Sequence, residues 1–278
     1  MEDADGSHLA LLYADFFPRS SKRGGAWMTN FRELARRGAL EERPLVSIVT
    51  NFTKPGPGTP SLLTHDELTT FLHEFGHALH GMLAQGRYPS LTGTNVARDF
   101  VELPSQLMEN WAYEPAWLQT FARHWQSGEP IPAALVERLV AARNFHAAYF
   151  QVRQLRFGLL DLAWHTRGAE SVTELEQAAL ADCSVLPDIP GSCISKAFSH
   201  IFSGGYSAGY YSYNWAEVLV ADAFARFREE GIFNRETAAS FRKNILECGS
   251  SEDEAVLYRR FRGHEPDPQA LLRKLEIS

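Results

Sequence analysis

The strongest constraint on this chain is a pair of histidines, His73 and His77, in a segment whose apolar residues recur at helical spacing. Positions i and i+4 of an α-helix share one face, so both imidazoles can point at the same place. The range from Thr64 to Glu67 has the pattern of a helix capping box. A broad apolar stripe then predicts a buried helix, and its members are Leu68, Phe71, Leu72, Phe75, Leu79, Met82 and Leu83.

Histidines on a buried helix need a partner, and a metal ion supplies one. Neutral imidazole is a good zinc ligand, and Glu74 can reach water that such a metal activates. Gly76 lies between the two histidines, where a glycine weakens the helix, so we expect another element to approach closely there. The alternative interpretation is a metal-free helix whose histidines cap or fill an apolar face.

A zinc site that leaves one position open for water needs a third protein ligand. Glu102 is the candidate, because Leu103-Pro104 reads as the first turn of a second helix and Glu102 stands at its entrance. Glu109 follows two turns later and could accept the outer N–H of a zinc-bound histidine, with Asp99 competing for that role. The alternative is that these acids form a solvated helix face.

Several further motifs follow this pattern in a fixed order along the chain. They comprise Gly93 to Gln106, Lys22 to Trp27, Val46 to Val49, His200 to Tyr213, and Glu230 to Thr237.

With these motifs the chain resembles the thimet oligopeptidase family of zinc metallopeptidases through nearly its whole length. The resemblance implies one Zn²⁺ per chain, held by His73, His77 and Glu102, with Glu74 as catalytic base. It implies a mainly α, zincin-like catalytic domain with a small β-sheet edging the active-site cleft. Family members are more than twice as long, so residues 1–278 resemble only the C-terminal catalytic region, without the N-terminal half of the channel. Short unstructured peptides are the implied substrates.

The segment from His200 to Tyr213 mixes glycines with tyrosines, which suits close backbone approach to a ligand and hydrogen bonding from phenols. Peptide hydrolysis develops negative charge on the carbonyl oxygen, and Tyr206, Tyr213 and His200 are candidate donors to it. By resemblance, Tyr206 and Tyr213 match substrate-contacting tyrosines of the family. The alternative is a tyrosine-rich core segment that leads into a helix.

Composition and charge exclude several other classes of protein. A net charge of -7 argues against a nucleic-acid surface. No run is apolar for the ~18 residues that a bilayer span requires. Cys183, Cys193 and Cys248 are few and odd in number, which favours a reducing, cytoplasmic setting, although Cys183 and Cys193 could bridge.

The order of local patterns predicts a small β region and loop over residues 1–60 and a helical core over 61–278. Strand-forming residues run from Leu9 to Phe17 and from Pro44 to Phe52. Helices are expected between Pro132 and about Arg167, as one or two segments, and from Tyr211 to Glu230, ended by Gly231. A second capping box is expected at Ser251 to Glu254.

Three functional hypotheses follow. The first is zinc-dependent hydrolysis of internal bonds in short peptides, with peptidyl-dipeptidase cleavage as the nearest enzymatic alternative. Arg98 or a loop tyrosine could hold the terminal carboxylate that this alternative requires. The second is an inactive, metal-containing peptide-binding fragment. The third is a structural zinc site completed by His80, which the open fourth position argues against.

Overall fold

The computed structural model describes residues 1–168, 171–187 and 189–277. A three-stranded sheet has the order β1-β5-β2, with β1 parallel and β2 antiparallel to the central strand β5. Strands β3 and β4 form a separate antiparallel hairpin. The strands are β1 (Leu11–Asp15), β2 (Trp27–Arg32), β3 (Ala35–Arg37), β4 (Leu40–Glu42) and β5 (Leu45–Val49).

Most of the remaining described chain is helical, as expected. Buried residues of α2, α8 and α10 form the largest apolar core, in which Leu107, Phe224 and Phe261 take part. The helices are α1 (His65–Met82), α2 (Glu102–Glu109), α3 (Pro115–Phe121), α4 (Ala133–Ala142), α5 (Ala147–Thr166), α6 (Val172–Leu180), α7 (Ser199–Phe202), α8 (Ser212–Glu230), α9 (Arg235–Phe241), α10 (Glu254–Arg262) and α11 (Pro268–Leu275).

Where the sequence predicted an individual strand or helix, the structure confirms it, except for the capping box at one helix start. Strands β1 and β5 lie inside the two strand-like runs, and α8 ends before Gly231 as expected. The capping box expected at Ser251 is wrong, because the residue that caps α10 is Asp253, whose carboxylate accepts the amide of Ala255. The Glu254 carboxylate instead accepts hydrogen bonds from the Ser250 hydroxyl and the Ala97 amide.

Helix α1 carries the histidine pair and is enclosed on two sides. Its capping box is confirmed, since the Thr64 side chain accepts the Glu67 amide and Glu67 accepts the Thr64 amide. On one side, Ala78 and Met82 pack with residues of β1 and β5 in a buried cluster. On the other side, α1 lies against α2. The helix therefore has little freedom to shift relative to either neighbour.

The close approach expected at Gly76 is confirmed. A Cβ atom added to this glycine would lie 2.5 Å from the carbonyl oxygen of Pro104 and 2.6 Å from Cα of Ser105. Such distances are shorter than van der Waals contact. The main chains of α1 and α2 thus touch directly, and a side chain at position 76 would force them apart.

Replacing Gly76 by alanine should lower the free energy of unfolding by about 1–3 kcal/mol, because the methyl group meets main-chain atoms that cannot rotate away. Gly158 in α5 provides the matched control. It is also a buried helical glycine, but an added Cβ would lie 3.7 Å from its nearest neighbour, in ordinary contact. Gly158→Ala should therefore stabilise by up to about 1 kcal/mol through helix propensity. Urea unfolding measures both, and a Gly76→Ala variant as stable as the parent would contradict the close contact.

Two further observations concern the chain as a whole. Among the described helices, none combines the length and apolar character needed to cross a membrane. Cys183, Cys193 and Cys248 are free thiols, so the bridge considered between the first two is absent.

Candidate metal centre

Two helices bring three candidate ligand atoms to one point. The Nε2 atoms of His73 and His77 on α1 each lie 3.3 Å from Oε2 of Glu102, the first residue of α2. One ligand atom from each of these residues falls within 4.8 Å of the others, the pattern of a group that could hold a metal ion. Glu102 is almost fully buried. The hydroxyl of Ser105 lies 2.9 Å from the same Oε2 atom and helps to fix its direction.

The spacing of these atoms fits a tetrahedral ion better than it fits direct hydrogen bonds. With metal–ligand bonds of about 2.0–2.1 Å, neighbouring ligands of a tetrahedral zinc site lie about 3.3 Å apart. Hydrogen bonds from a ring nitrogen to a carboxylate are usually shorter, at about 2.7–2.9 Å. Two imidazoles and one carboxylate also leave a fourth position for water or substrate, as catalytic zinc sites do. The donor set and its geometry therefore fit Zn²⁺.

Electrostatics at this point favour a positive charge. Burial alone would lower the pKa of His73, but hydrogen bonds and charge from Glu102 and Glu109 outweigh it and raise the pKa to about 10. Burial acts to raise the pKa of Glu102, whereas His73 and His77 hold it well below its usual range. A site that attracts a proton this strongly offers the same negative charge to a divalent cation.

Glu109 and Asp99 have different partners. Oε1 of Glu109 lies 2.7 Å from Nδ1 of His73. Because a carboxylate can only accept here, Nδ1 carries a proton, and Nε2 is the nitrogen that would bind a metal after giving up its own proton. Asp99, the competing candidate, instead accepts a hydrogen bond from the hydroxyl of Tyr211 at 2.8 Å. Among the described contacts Asp99 pairs with this tyrosine rather than with either histidine, so the geometry favours Glu109 for the role of orienting His73.

Glu74 lies beside the candidate ligands in an open cleft. The cleft has a volume of about 260 Å³ and is lined by Thr69, Thr70, His73, Glu74 and Glu109. Glu74 itself is largely buried, and burial raises the pKa of its carboxyl group. A carboxylate with a raised pKa is a better proton acceptor, which is what a general base requires.

The two candidate tyrosines, Tyr206 and Tyr213, lie about 100 residues after the candidate ligands in the sequence but next to them in the fold. The Tyr206 hydroxyl donates to Oε1 of Glu102 at 2.8 Å, and the rings of Tyr206 and Tyr213 stack with centroids 5.1 Å apart. Burial and the charge of Glu102 raise the pKa of Tyr206 to about 12, and burial raises the pKa of Tyr213 further. Both phenols therefore keep their protons at neutral pH and can donate hydrogen bonds.

His200 and Arg98 lie at the margin of this tyrosine pair. The ring of His200 is exposed and 6.1 Å from the ring of Tyr206, and no hydrogen bond to the candidate ligands is found among the described contacts. The guanidinium of Arg98 stacks over the Tyr206 ring at 4.8 Å. Arg98 thus supplies positive charge next to a tyrosine that touches the metal centre.

His80 does not complete a four-ligand set. It is fully buried, and neither of its ring nitrogens has a hydrogen-bond partner among the described residues. Burial, together with the neighbouring His77, lowers the pKa of His80 to about 3, so the ring is neutral. The ligand group found among the described residues comprises His73, His77 and Glu102 without His80, so it gives no support to a structural zinc site that includes His80.

Two residues that contact this centre or its tyrosine loop were missed by sequence reasoning. Ser105 was within reach of prediction, because a serine three residues after Glu102 shares its helix face. Asp161 on α5 was not, because its contacts with the loop around Tyr206 join residues more than 40 positions apart.

The chain is similar in sequence to curated peptidases over nearly its whole length. Over 97% of its length the chain is 47% identical to oligopeptidase A of Escherichia coli (strain K12), covering 41% of that protein. Over 99% of its length it is 46% identical to dipeptidyl carboxypeptidase of Salmonella typhimurium (strain LT2), again covering 41%. The chain therefore spans about two fifths of the length of these curated relatives.

The fold is shared with solved structures. A structure described as PZ peptidase A with inhibitor 2 superimposes with a TM-score of 0.64 and 17% identity, over 95% of this chain and 42% of that one. At this identity the likeness bears on fold alone, and it confirms the zincin-like architecture expected from sequence. The family model described as Peptidase family M3 matches residues 1–277. On this match, which covers nearly the whole chain, the protein belongs to peptidase family M3.

Proposed function

We propose that this chain catalyses zinc-dependent hydrolysis of internal peptide bonds in short, unstructured peptides. The observation that carries the proposal is the meeting of His73, His77 and Glu102 at one point, with Glu74 in the adjoining cleft. A bound zinc ion would supply Lewis acidity, lowering the pKa of a bound water molecule to about 7 and polarising a carbonyl group. Membership of family M3 supports a divalent metal in this role.

Residues of the chain itself provide proton transfer and hydrogen-bond donation. Glu74 accepts a proton from the attacking water and delivers it to the leaving amine, as a single general acid–base group can. Tyr206 and Tyr213 keep their protons, and release of the Tyr206 hydroxyl from Glu102 would let both phenols donate hydrogen bonds toward the carbonyl oxygen as negative charge develops there. His200 lies close enough to Tyr206 to assist at the cleft edge, although no contact with the candidate ligands supports a direct role.

Glu109 is proposed to orient His73 through its Nδ1–H. Replacing Glu109 by glutamine should lower zinc affinity about 10- to 100-fold, the usual cost of losing a carboxylate behind a metal-bound histidine. Asp99→Asn is the matched control. Asp99 pairs with Tyr211, so this substitution should leave the zinc affinity unchanged. Competition with a chromogenic zinc chelator measures both. Equal losses in the two variants would reject this assignment.

Peptidyl-dipeptidase cleavage remains a second candidate, because the identity to dipeptidyl carboxypeptidase nearly equals that to oligopeptidase A. Arg98 could hold the terminal carboxylate that such cleavage recognises. The relatives are more than twice as long as this chain, so an N-terminal half that completes the channel is part of the proposal. An inactive, metal-containing peptide-binding fragment is the remaining alternative. A cytoplasmic setting also belongs to the proposal and fits the three free thiols.

One experiment separates these outcomes. The purified chain is incubated with a mixture of short peptides under three conditions: in the presence of zinc, in the presence of a chelator, and after zinc is restored to the chelated sample. The products are identified by mass spectrometry. Internal cleavage that is lost with chelator and regained with zinc is the expected result. Release of C-terminal dipeptides, blocked by C-terminal amidation, would favour the second candidate. Bound zinc without any cleavage would reject hydrolysis by this chain alone.

A further inference from the structure

A buried carboxylate on α5 holds the loop that carries Tyr206. Asp161 is fully buried, and its two oxygens accept different backbone amides. Oδ1 accepts the amide of Ala208 at 2.9 Å and Oδ2 accepts the amide of Tyr210 at 2.8 Å. Nδ1 of His165, one turn further along α5, lies 2.9 Å from Oδ1. A buried carboxylate whose two oxygens each accept a backbone amide is well compensated, so it can act as a fixed anchor.

The loop needs such an anchor because its backbone is unfavourable on its own. Ala208 has a φ of 54°, in the left-handed region that residues with a Cβ rarely adopt. The surrounding contacts must over-determine a conformation of this kind if it is to persist. Helix α5 also lies beside the loop one turn before Asp161, where the backbone of Tyr211 would be in ordinary contact, 3.7 Å, with a Cβ added to Gly158.

The anchored residues lie between the two tyrosines that face the metal centre. Ala208 follows Tyr206 by two residues, and Tyr210 precedes Tyr213 by three. The rings of Tyr210 and Tyr213 also pack together, with centroids 5.1 Å apart. The position of the Tyr206 hydroxyl on Glu102 is therefore linked through a few main-chain bonds to the Asp161 carboxylate.

We infer that Asp161 is a positioning residue. Its two hydrogen bonds from backbone amides hold Tyr206 and Tyr213 in place beside the metal centre. The inference rests on the proposed hydrolysis, in which these tyrosines donate to the developing oxyanion. Asp161→Asn tests it with little change in shape. Asparagine keeps one acceptor oxygen, but its amide nitrogen is a donor and cannot accept the second backbone N–H.

The test is a double-mutant cycle between Asp161→Asn and Tyr206→Phe, with peptide hydrolysis as readout. Asp161→Asn should lower kcat and kcat/KM together by about tenfold or more, because the tyrosine contact strengthens only in the transition state. In the Tyr206→Phe background the same change should cost less than about twofold. Fully additive effects, or a loss confined to KM, would overturn the inference. If Asp161→Asn does not fold, Asp161→Glu enters the same cycle.

Glu176 on α6 offers a matched control. Its carboxylate also accepts two backbone amides, those of Ile194 and Ser195, but on a neighbouring loop. Glu176→Gln should leave kcat within about twofold of the parent, whatever its effect on thermal stability.

A second readout does not depend on catalysis. Hydrogen–deuterium exchange over residues 203–213 should rise in Asp161→Asn and not in Glu176→Gln, while zinc content stays unchanged in both. If the parent chain binds zinc but cleaves nothing, the proposed function fails, yet this exchange still reports whether Asp161 anchors the loop. Unchanged exchange in Asp161→Asn would overturn the anchor itself.

Discussion

Replacing Glu74 by glutamine should lower kcat for peptide hydrolysis by about 10²- to 10⁴-fold while leaving zinc bound. Glutamine has nearly the shape of glutamate but cannot take a proton from water, so the general-base contribution is lost. Glu74 is not one of the three residues whose ligand atoms cluster, so metal content should not change. Steady-state kinetics and metal analysis of the same preparation measure the two quantities.

Glu67→Gln on the same helix is the matched control for this prediction. Glu67 takes part in the capping box at the start of α1, and glutamine is accepted at that position of the box. The control should keep both its activity and its zinc. Hydrolysis retained in Glu74→Gln would remove Glu74 as the base. Loss of zinc from that variant would mean that Glu74 contributes to metal binding.

Replacing Glu102 by alanine should lower zinc affinity by more than about 100-fold, the upper end of the loss expected for an outer partner such as Glu109. The change removes the only carboxylate in the candidate ligand group of the described residues. It also removes the charge that both imidazoles face at 3.3 Å. Activity should fall with zinc occupancy and recover partly at high zinc concentration.

The zinc affinities of the parent chain and the two variants should follow a fixed order. Zinc affinity should decrease from the parent chain to Glu109→Gln and then to Glu102→Ala. A carboxylate that binds the ion contributes more than one that only orients a ligand. If Glu109→Gln were the weaker binder, the assignment of the two carboxylates would have to be exchanged. Unchanged affinity in Glu102→Ala would place the third ligand elsewhere.

Local sequence patterns predicted the elements that hold the candidate site. The capping box at Thr64 and the apolar stripe after it located α1 because helix starts and helix faces depend on residues within a few positions. Gly76 indicated a close approach before the neighbour was known, since the cost of a mid-helix glycine calls for a reason. The residue patterns also suggested Glu102, Tyr206 and Tyr213 as partners, and the resemblance to a known family implied the same three residues.

Other features depended on distant residues and could not be predicted locally. Strand β2 lies at an edge of the sheet, and its Trp27–Arg32 sequence lacks a clear alternation of buried and exposed residues. The pairing of β1 with β5 is parallel and joins segments about 30 residues apart, which periodicity does not reveal. Asp161 looked like any other acid on a helix until the structure brought it to the loop. The contact of Asp99 with Tyr211 was not predicted for the same reason, since it joins residues more than 100 positions apart.

The enclosure of α1 between the sheet and α2 has a consequence for engineering. A residue such as Val46 or Ile48 in β5 packs beneath the helix that carries the histidines, on the side away from α2. A change in the volume of either side chain would tilt α1. The tilt would alter the distances between the candidate metal ligands, which neither side chain contacts. Laboratory evolution for new substrates should therefore recover beneficial substitutions in this distant strand as well as around the cleft.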